Sequence, residues 1–252
     1  DTVLIESTYG DRKHPADKLL AELAPLLRKV VARGGVAVVP AFAVGRAQAL
    51  LHAIALLKSR KEIPRSVPVF LDSPMAVHST LLFEKHPGAH RLSERQSLAL
   101  TRSATMVNST DESKALAARR GPMVILSASG MATGGRVLHH LSHYLGDHRN
   151  MVILTGFQAP GTRGASLADG ASSIRIHGRD IAVNAEIAQL QSASAHADAD
   201  QLLEWLRTLP AAPGQVYVVH GERSASDELR RRITHDLGWR AVVPEHGSSW
   251  PT

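Results

Sequence analysis

The chain has 252 residues, 44% of them apolar and 21% charged, enough for one large domain or two intertwined ones around a sizeable core. It contains no cysteine, which excludes disulfides and thiolate zinc sites and leaves His, Asp and Glu to build any metal centre. A net charge of +6 favours a polyanionic partner, and no apolar run approaches the roughly 18 residues of a membrane helix, so a cytoplasmic setting without a membrane partner is expected.

The first residues, Asp1-Thr-Val-Leu-Ile, open directly on a strand-like run without an initiator Met, as the later part of a longer protein would. Residues 3–5 predict a buried strand that delivers Glu6 to its end, ahead of a Ser-Thr-Tyr-Gly turn. A carboxylate so placed either caps the loop or belongs to a site. Leu19, Leu20, Leu23, Leu26, Leu27 and Val30 recur at three/four spacing and predict a helix over 17–33, kinked at Pro25 and ended by Gly34-Gly35. Apolar runs predict strands over 36–39, 67–71, 123–126, 151–154 and 241–243, with helices over 45–58, 136–145 and 227–237. Residues 78–120 are more polar, with helical patterns at 93–100 and 111–119 and Asp111 as an N-cap. Residues 174–176 and 181–183 flank a Gly178 turn and predict a hairpin. Strand, helix and strand recur, which predicts an α/β fold with a mostly parallel sheet covered by helices.

Three stretches carry candidate chemistry. Ser127 to Gly135 is a small-residue loop between a strand and a helix, with the composition of a phosphate cradle or of a tight turn. His139, His140 and His143 share a helix. The 139/143 pair has the i, i+4 spacing of a zinc chelate, although a surface or packing role is the commoner outcome. His196 sits where a loop becomes an amphipathic helix, and His220 where a β-branched run ends in Gly221. That pair is the first candidate for a metal or acid/base site.

Six motifs then occur in order: Glu6-Ser7-Thr8-Tyr9-Gly10, residues 40–48 (Pro-Ala-Phe-Ala-Val-Gly-Arg-Ala-Gln), Leu71-Asp72-Ser73-Pro74-Met75, Ser129-Gly130-Met131 through Gly134-Gly135, Ser194-Ala195-His196-Ala197-Asp198, and Val219-His220-Gly221-Glu222. Together they closely resemble the β-CASP branch of the metallo-β-lactamase superfamily, RNA-processing metallo-nucleases that include the nuclease of mRNA 3′-end processing. The resemblance implies a β-CASP cap, a parallel sheet flanked by helices, inserted into an αββα metallo-hydrolase lobe. Residues 1–10 would end the first lobe segment, 11–193 form the cap, and 194–252 close the lobe.

On that resemblance His220 would be a zinc ligand, and His196 the proton donor to the leaving oxygen. Glu6 would orient the His196 imidazole and fix its tautomer. Ser129, Gly130, Met131 and Gly134 would bind a substrate phosphate. The partner would be single-stranded RNA, cut internally or from its 5′ end, and a homodimer is the further assembly expected. The family's His-x-His-x-Asp-His cluster is absent from these residues. The chain is therefore expected to work with an upstream half and two zinc ions, and by itself to bind zinc weakly and cleave nothing. A non-catalytic RNA-binding scaffold and a small-molecule metallo-hydrolase are the rival readings.

Overall fold

The computed structural model describes residues 1–15 and 19–250. The elements run β1 (Thr2–Glu6), α1 (Leu19–Ala32), β2 (Val36–Pro40), α2 (Arg46–Ser59), β3 (Val69–Asp72), α3 (Pro74–Lys85), α4 (Glu94–Arg102) and β4 (Thr105–Met106). Next come α5 (Thr110–Ala117), β5 (Met123–Ser127), α6 (Val137–Tyr144), β6 (Met151–Thr155), α7 (Arg163–Ala168), β7 (Ser173–Ile176) and β8 (Arg179–Ala182). The chain finishes with β9 (Glu186–Leu190), α8 (Ala199–Arg207), β10 (Gln215–Val219), α9 (Arg223–Leu237) and β11 (Ala241–Val242). They form two compact units, residues 17–193 and residues 1–16 together with 194–252. No helix among the described residues is long and apolar enough to cross a membrane.

The larger unit is built on a six-stranded sheet in the order β4-β3-β5-β2-β6-β9, parallel throughout. Every residue of β2, β5 and β6 is buried. Helices cover both faces of a parallel sheet, so its central strands read as continuous apolar runs. Alternate side chains feed two cores: Val39, Leu126 and Ile153 join α1 and α2 on one face, while Val38, Ile125 and Val152 join α6 on the other. The β7–β8 hairpin adds Ile174 and Ile176 to the second core, and His177 and Gly178 turn it with positive φ at both central positions.

Residues 17 and 18 of the first expected helix lie outside the described residues, and α1 continues as one helix through Pro25. Gly34, at φ +66°, ends it: its N–H bonds the Val31 carbonyl, and that of Gly35 bonds Val30. A Cβ on Gly35 would meet the Arg149 carbonyl oxygen at 1.9 Å, so only glycine fits. The N-cap of α5 is Ser109 rather than Asp111. Ser109 accepts from the Glu112 N–H while Glu112 accepts from the Ser109 N–H, a closed capping box that outcompetes a cap two residues on.

In the smaller unit β10 lies between β1 and β11, all parallel, with Glu6 opposite Val219. Ile5, Val216 and Val218 pack against Leu203, Leu206, Leu229 and Ile233 of α8 and α9. The strand β1 is only half buried, contrary to the expectation of a buried strand. It is an edge strand, and Leu4, pointing away from the helices, is 68% exposed.

One buried charge ties three elements of the larger unit together. Asp72, at the end of β3 and without solvent exposure, accepts from His140 Nε2 (2.6 Å), from Arg136 Nη1 (2.8 Å) and from the Ser113 hydroxyl. Burial pushes its carboxyl upward, but the bonds from His140, Ser113 and Arg136 outweigh this and hold it below the ordinary carboxylate range. The stabilisation is therefore present above the unfolded-state pKa and lost as pH falls through the lower folded value. Asp72→Ala is expected to cost about 3–5 kcal/mol in urea unfolding at neutral pH. Asp72→Asn should flatten the acid limb of a stability-versus-pH curve, which the unsubstituted chain shows.

Candidate active site

Glu6, His196 and His220 come from three separate places in the sequence and converge in the smaller unit. Among the described residues they are the one trio of His, Asp or Glu whose donor atoms lie within 4.8 Å of one another. The strand pairing explains Glu6 and His220: Glu6 is the last residue of β1, opposite Val219, and His220 directly follows β10, at the strand ends where backbone pairing runs out. His196 arrives from the loop before α8. The Asp198 carboxylate caps that helix in a capping box with Gln201. Its second oxygen takes the His14 N–H at 2.9 Å, and the backbone of Tyr9 bridges to Asp198. Burial raises the Asp198 carboxyl, yet the N–H groups of Gln201 and His14 outweigh it and leave the group below its ordinary range.

Glu6 does both things that its position in the sequence allowed. Its Oε2 accepts the Thr8 N–H at 2.8 Å, capping the loop, and stands 3.3 Å from His196 Nδ1. An ionised carboxylate only accepts, so Nδ1 carries the hydrogen and Nε2 is left for chemistry. The His196 carbonyl takes a 2.8 Å bond from His14 Nε2, while Tyr9 packs its ring 5.0 Å from His14 and 6.4 Å from His196. The His196 and His220 rings lie 5.6 Å apart at 27°.

His220 is positioned by Thr8. The Thr8 hydroxyl donates to the His220 carbonyl at 3.1 Å, and its lone pair faces His220 Nδ1 at 3.3 Å. With that hydroxyl proton committed, Nδ1–H is the donor and Nε2 is the bare nitrogen. This is the arrangement in which a histidine ligates a metal. The residue stands at φ +57°, a left-handed conformation that costs about 1–2 kcal/mol. What holds it is the packing on either side. Ser7 Oγ bonds the Val219 carbonyl and Ser226, and a Cβ on Gly221 would strike Ser7 Oγ at 2.4 Å.

Zinc donors sit about 2.0–2.2 Å from the ion, hence roughly 3.3 Å from each other in a tetrahedron. His220, exposed and with Nε2 open, fits as one such donor. The Glu6–His196 contact has the same length, but there the carboxylate and the imidazole face each other directly. The residues thus fit one ligand and an imidazole–carboxylate pair beside it, short of the three protein ligands that a catalytic zinc takes.

The glycine-rich loop belongs to the larger unit. Ser129 Oγ accepts the Thr133 N–H at 3.1 Å and lies 3.0 Å from the Thr133 hydroxyl. Ser129 and Gly134 line a cavity of about 400 Å³ with Asp72, Pro74 and Arg136. Gly130 is packed against Phe42, where a Cβ would meet the ring at 2.8 Å, and the Met131 carbonyl is taken by the Gly164 N–H. Of the helix α6 histidines, His140 is the buried partner of Asp72, and His139 and His143 are exposed. Thr8, Tyr9 and His14 are the residues that sequence reasoning missed. Thr8 and Tyr9 lie inside a quoted motif, and His14 follows closely, but their partners are about two hundred residues away.

Comparison with known proteins accounts for this arrangement. Residues 47–167 match the Beta-Casp domain, and residues 180–244 match the Zn-dependent metallo-hydrolase RNA specificity domain. The chain is similar to Ribonuclease TTHA0252 of Thermus thermophilus, 39% identical over 88% of this chain and 52% of the relative. It is similar to an RNase J-like protein of Methanocaldococcus jannaschii, 32% identical over 100% of this chain and 59% of the relative. It also resembles the transcription termination factor FttA of the same organism, 32% identical over 92% of this chain and 39% of the relative. The chain thus spans about half the length of the curated relatives it matches. A parallel helix-covered sheet followed by a metallo-hydrolase segment, with the acidic and histidine motifs in one cluster, places this chain in the β-CASP branch of the metallo-β-lactamase superfamily.

Proposed function

We propose that the complete protein is a zinc-dependent ribonuclease that hydrolyses phosphodiester bonds of single-stranded RNA, and that this chain supplies its proton donor and one metal ligand. The observation that carries the reading is the convergence of Glu6, His196 and His220, each imidazole with Nδ1 committed and Nε2 open. His220 would hold zinc through Nε2, with the other ligands, and a second ion, provided by an upstream segment. Zinc, when bound, supplies an activated water and neutralises phosphate charge.

His196 would carry the proton at Nε2 and pass it to the leaving oxygen, while Glu6 holds Nδ1 and keeps the ring in line. Thr8 would fix the His220 tautomer. The Ser129 and Gly134 edge of the loop would take a backbone phosphate, and the net +6 charge would draw the RNA in. A scaffold without catalysis has no use for an open Nε2 backed by a carboxylate, so the pair favours the enzyme. The ribonuclease relatives support the same choice.

Two experiments test this on the complete protein. Zinc content and single-turnover cleavage should fall together in His220→Ala. His196→Ala should keep its zinc and RNA affinity while cleavage slows by roughly 10²–10⁴. Glu6→Gln should lie between His196→Ala and the unsubstituted enzyme, and Thr8→Val should weaken zinc binding by about 10–100-fold. Loss of zinc in His196→Ala, or full zinc and full rate in His220→Ala, overturns the roles. Separately, RNA affinity should fall steeply and linearly in log–log against salt. A flat line would remove the phosphate contacts from the account.

A further inference from the structure

Three imidazoles of the larger unit stand uncommitted on one patch of its surface. His139 and His143 are one turn apart on α6, so both occupy the same helix face. His177 is the first central residue of the β7–β8 turn, and its ring lies against His139 with centroids 5.0 Å apart and planes at 29°. All three are exposed, and no hydrogen bond or ion pair occupies their ring nitrogens among the described residues. His140, between them in sequence, is by contrast buried on Asp72.

The geometry suits a metal. Two imidazoles that share a tetrahedral zinc at about 2.0–2.1 Å place their ring centroids roughly 5 Å apart, the separation seen between His139 and His177. Ile174 and Ile176 seat the hairpin on the core that α6 covers, which holds the turn beside the helix. The three donor sets do not converge as the side chains stand, so an ion would have to draw the exposed rings into other staggered rotamers.

We propose that His139, His143 and His177 form a surface site for a borderline divalent transition-metal ion, zinc among them, which clamps the β7–β8 turn onto α6. Imidazole donors select this class of ion over magnesium or calcium, and the fourth position stays open to water. The site is separate from the Glu6–His196–His220 cluster and does not depend on the ribonuclease reading.

The test is calorimetric titration of the 252-residue chain with zinc alone, alongside its melting temperature with and without zinc. The unsubstituted chain should bind an ion at this patch and melt higher with zinc, an effect that a chelator reverses. In a His220→Ala background, which removes the candidate ligand of the other cluster, His139→Ala and His177→Asn should each lose both signals, whereas His148→Ala should keep them. Asn is chosen at 177 because it tolerates positive φ, so a lost ligand is not confused with a strained turn. Retention of zinc binding in that background by either His139→Ala or His177→Asn, its loss in His148→Ala, or no binding by the unsubstituted chain would overturn the site.

Discussion

The candidate site depends on one parallel strand pairing, β1 against β10, in a register that sets Glu6 opposite Val219. A slip of one residue would turn Ile5 to solvent and Leu4 into the helices, so the apolar pattern fixes the register. With the register fixed, Thr8 meets His220 across 212 residues of sequence, and both faces of the His220 bend are locked by Ser7 and Gly221. His196 is then aligned by Glu6 from below and by His14 and Tyr9 from the side. The precision of this cluster comes from backbone pairing first and side-chain bonds second.

The larger unit solves a different problem. A parallel sheet covered on both faces leaves no room for water, yet the carboxylate of Asp72 is held there at full burial. Three donors from α5 and α6 surround it, so its charge is compensated where an isolated carboxylate would be expelled. Arg136, the residue before α6, also bonds the carbonyls of Val107 and Asn108 and so ties the loop it ends to the segment between β4 and α5.

The strands most legible in the sequence were those with uninterrupted apolar runs, β2, β5 and β6, since double burial writes itself as composition. Elements with one wet face were harder. The strand β9 reads Glu-Ile-Ala-Gln-Leu and sits at the sheet edge, while α3 leaves Leu81 and Leu82 about half exposed and blurs its periodicity. The α5 boundary went astray because Ser109 and Asp111 are both good caps, and only the reciprocal Glu112 bond separates them. At the site, Glu6, His196 and His220 were legible as motifs. The supporting roles of Thr8, Tyr9 and His14 were not, since they exist only through partners at the far end of the chain.

The Glu22 carboxylate, in the first turn of α1, accepts the N–H groups of Gln191 and Ser192, groups 169 and 170 residues downstream. Lys29 and Arg33 reinforce the closure through Glu186 on β9, each at 2.6 Å. The larger unit thus brings its own two ends together as it folds. Without it, β1 and β10 must find each other across a loop of more than two hundred residues. With it, only the short tails on each side remain free, about two halvings of loop length and roughly 1.2 kcal/mol less closure entropy. During synthesis Glu6 emerges well before His220, so the Glu6–His196–His220 cluster cannot form until the intervening unit has been made.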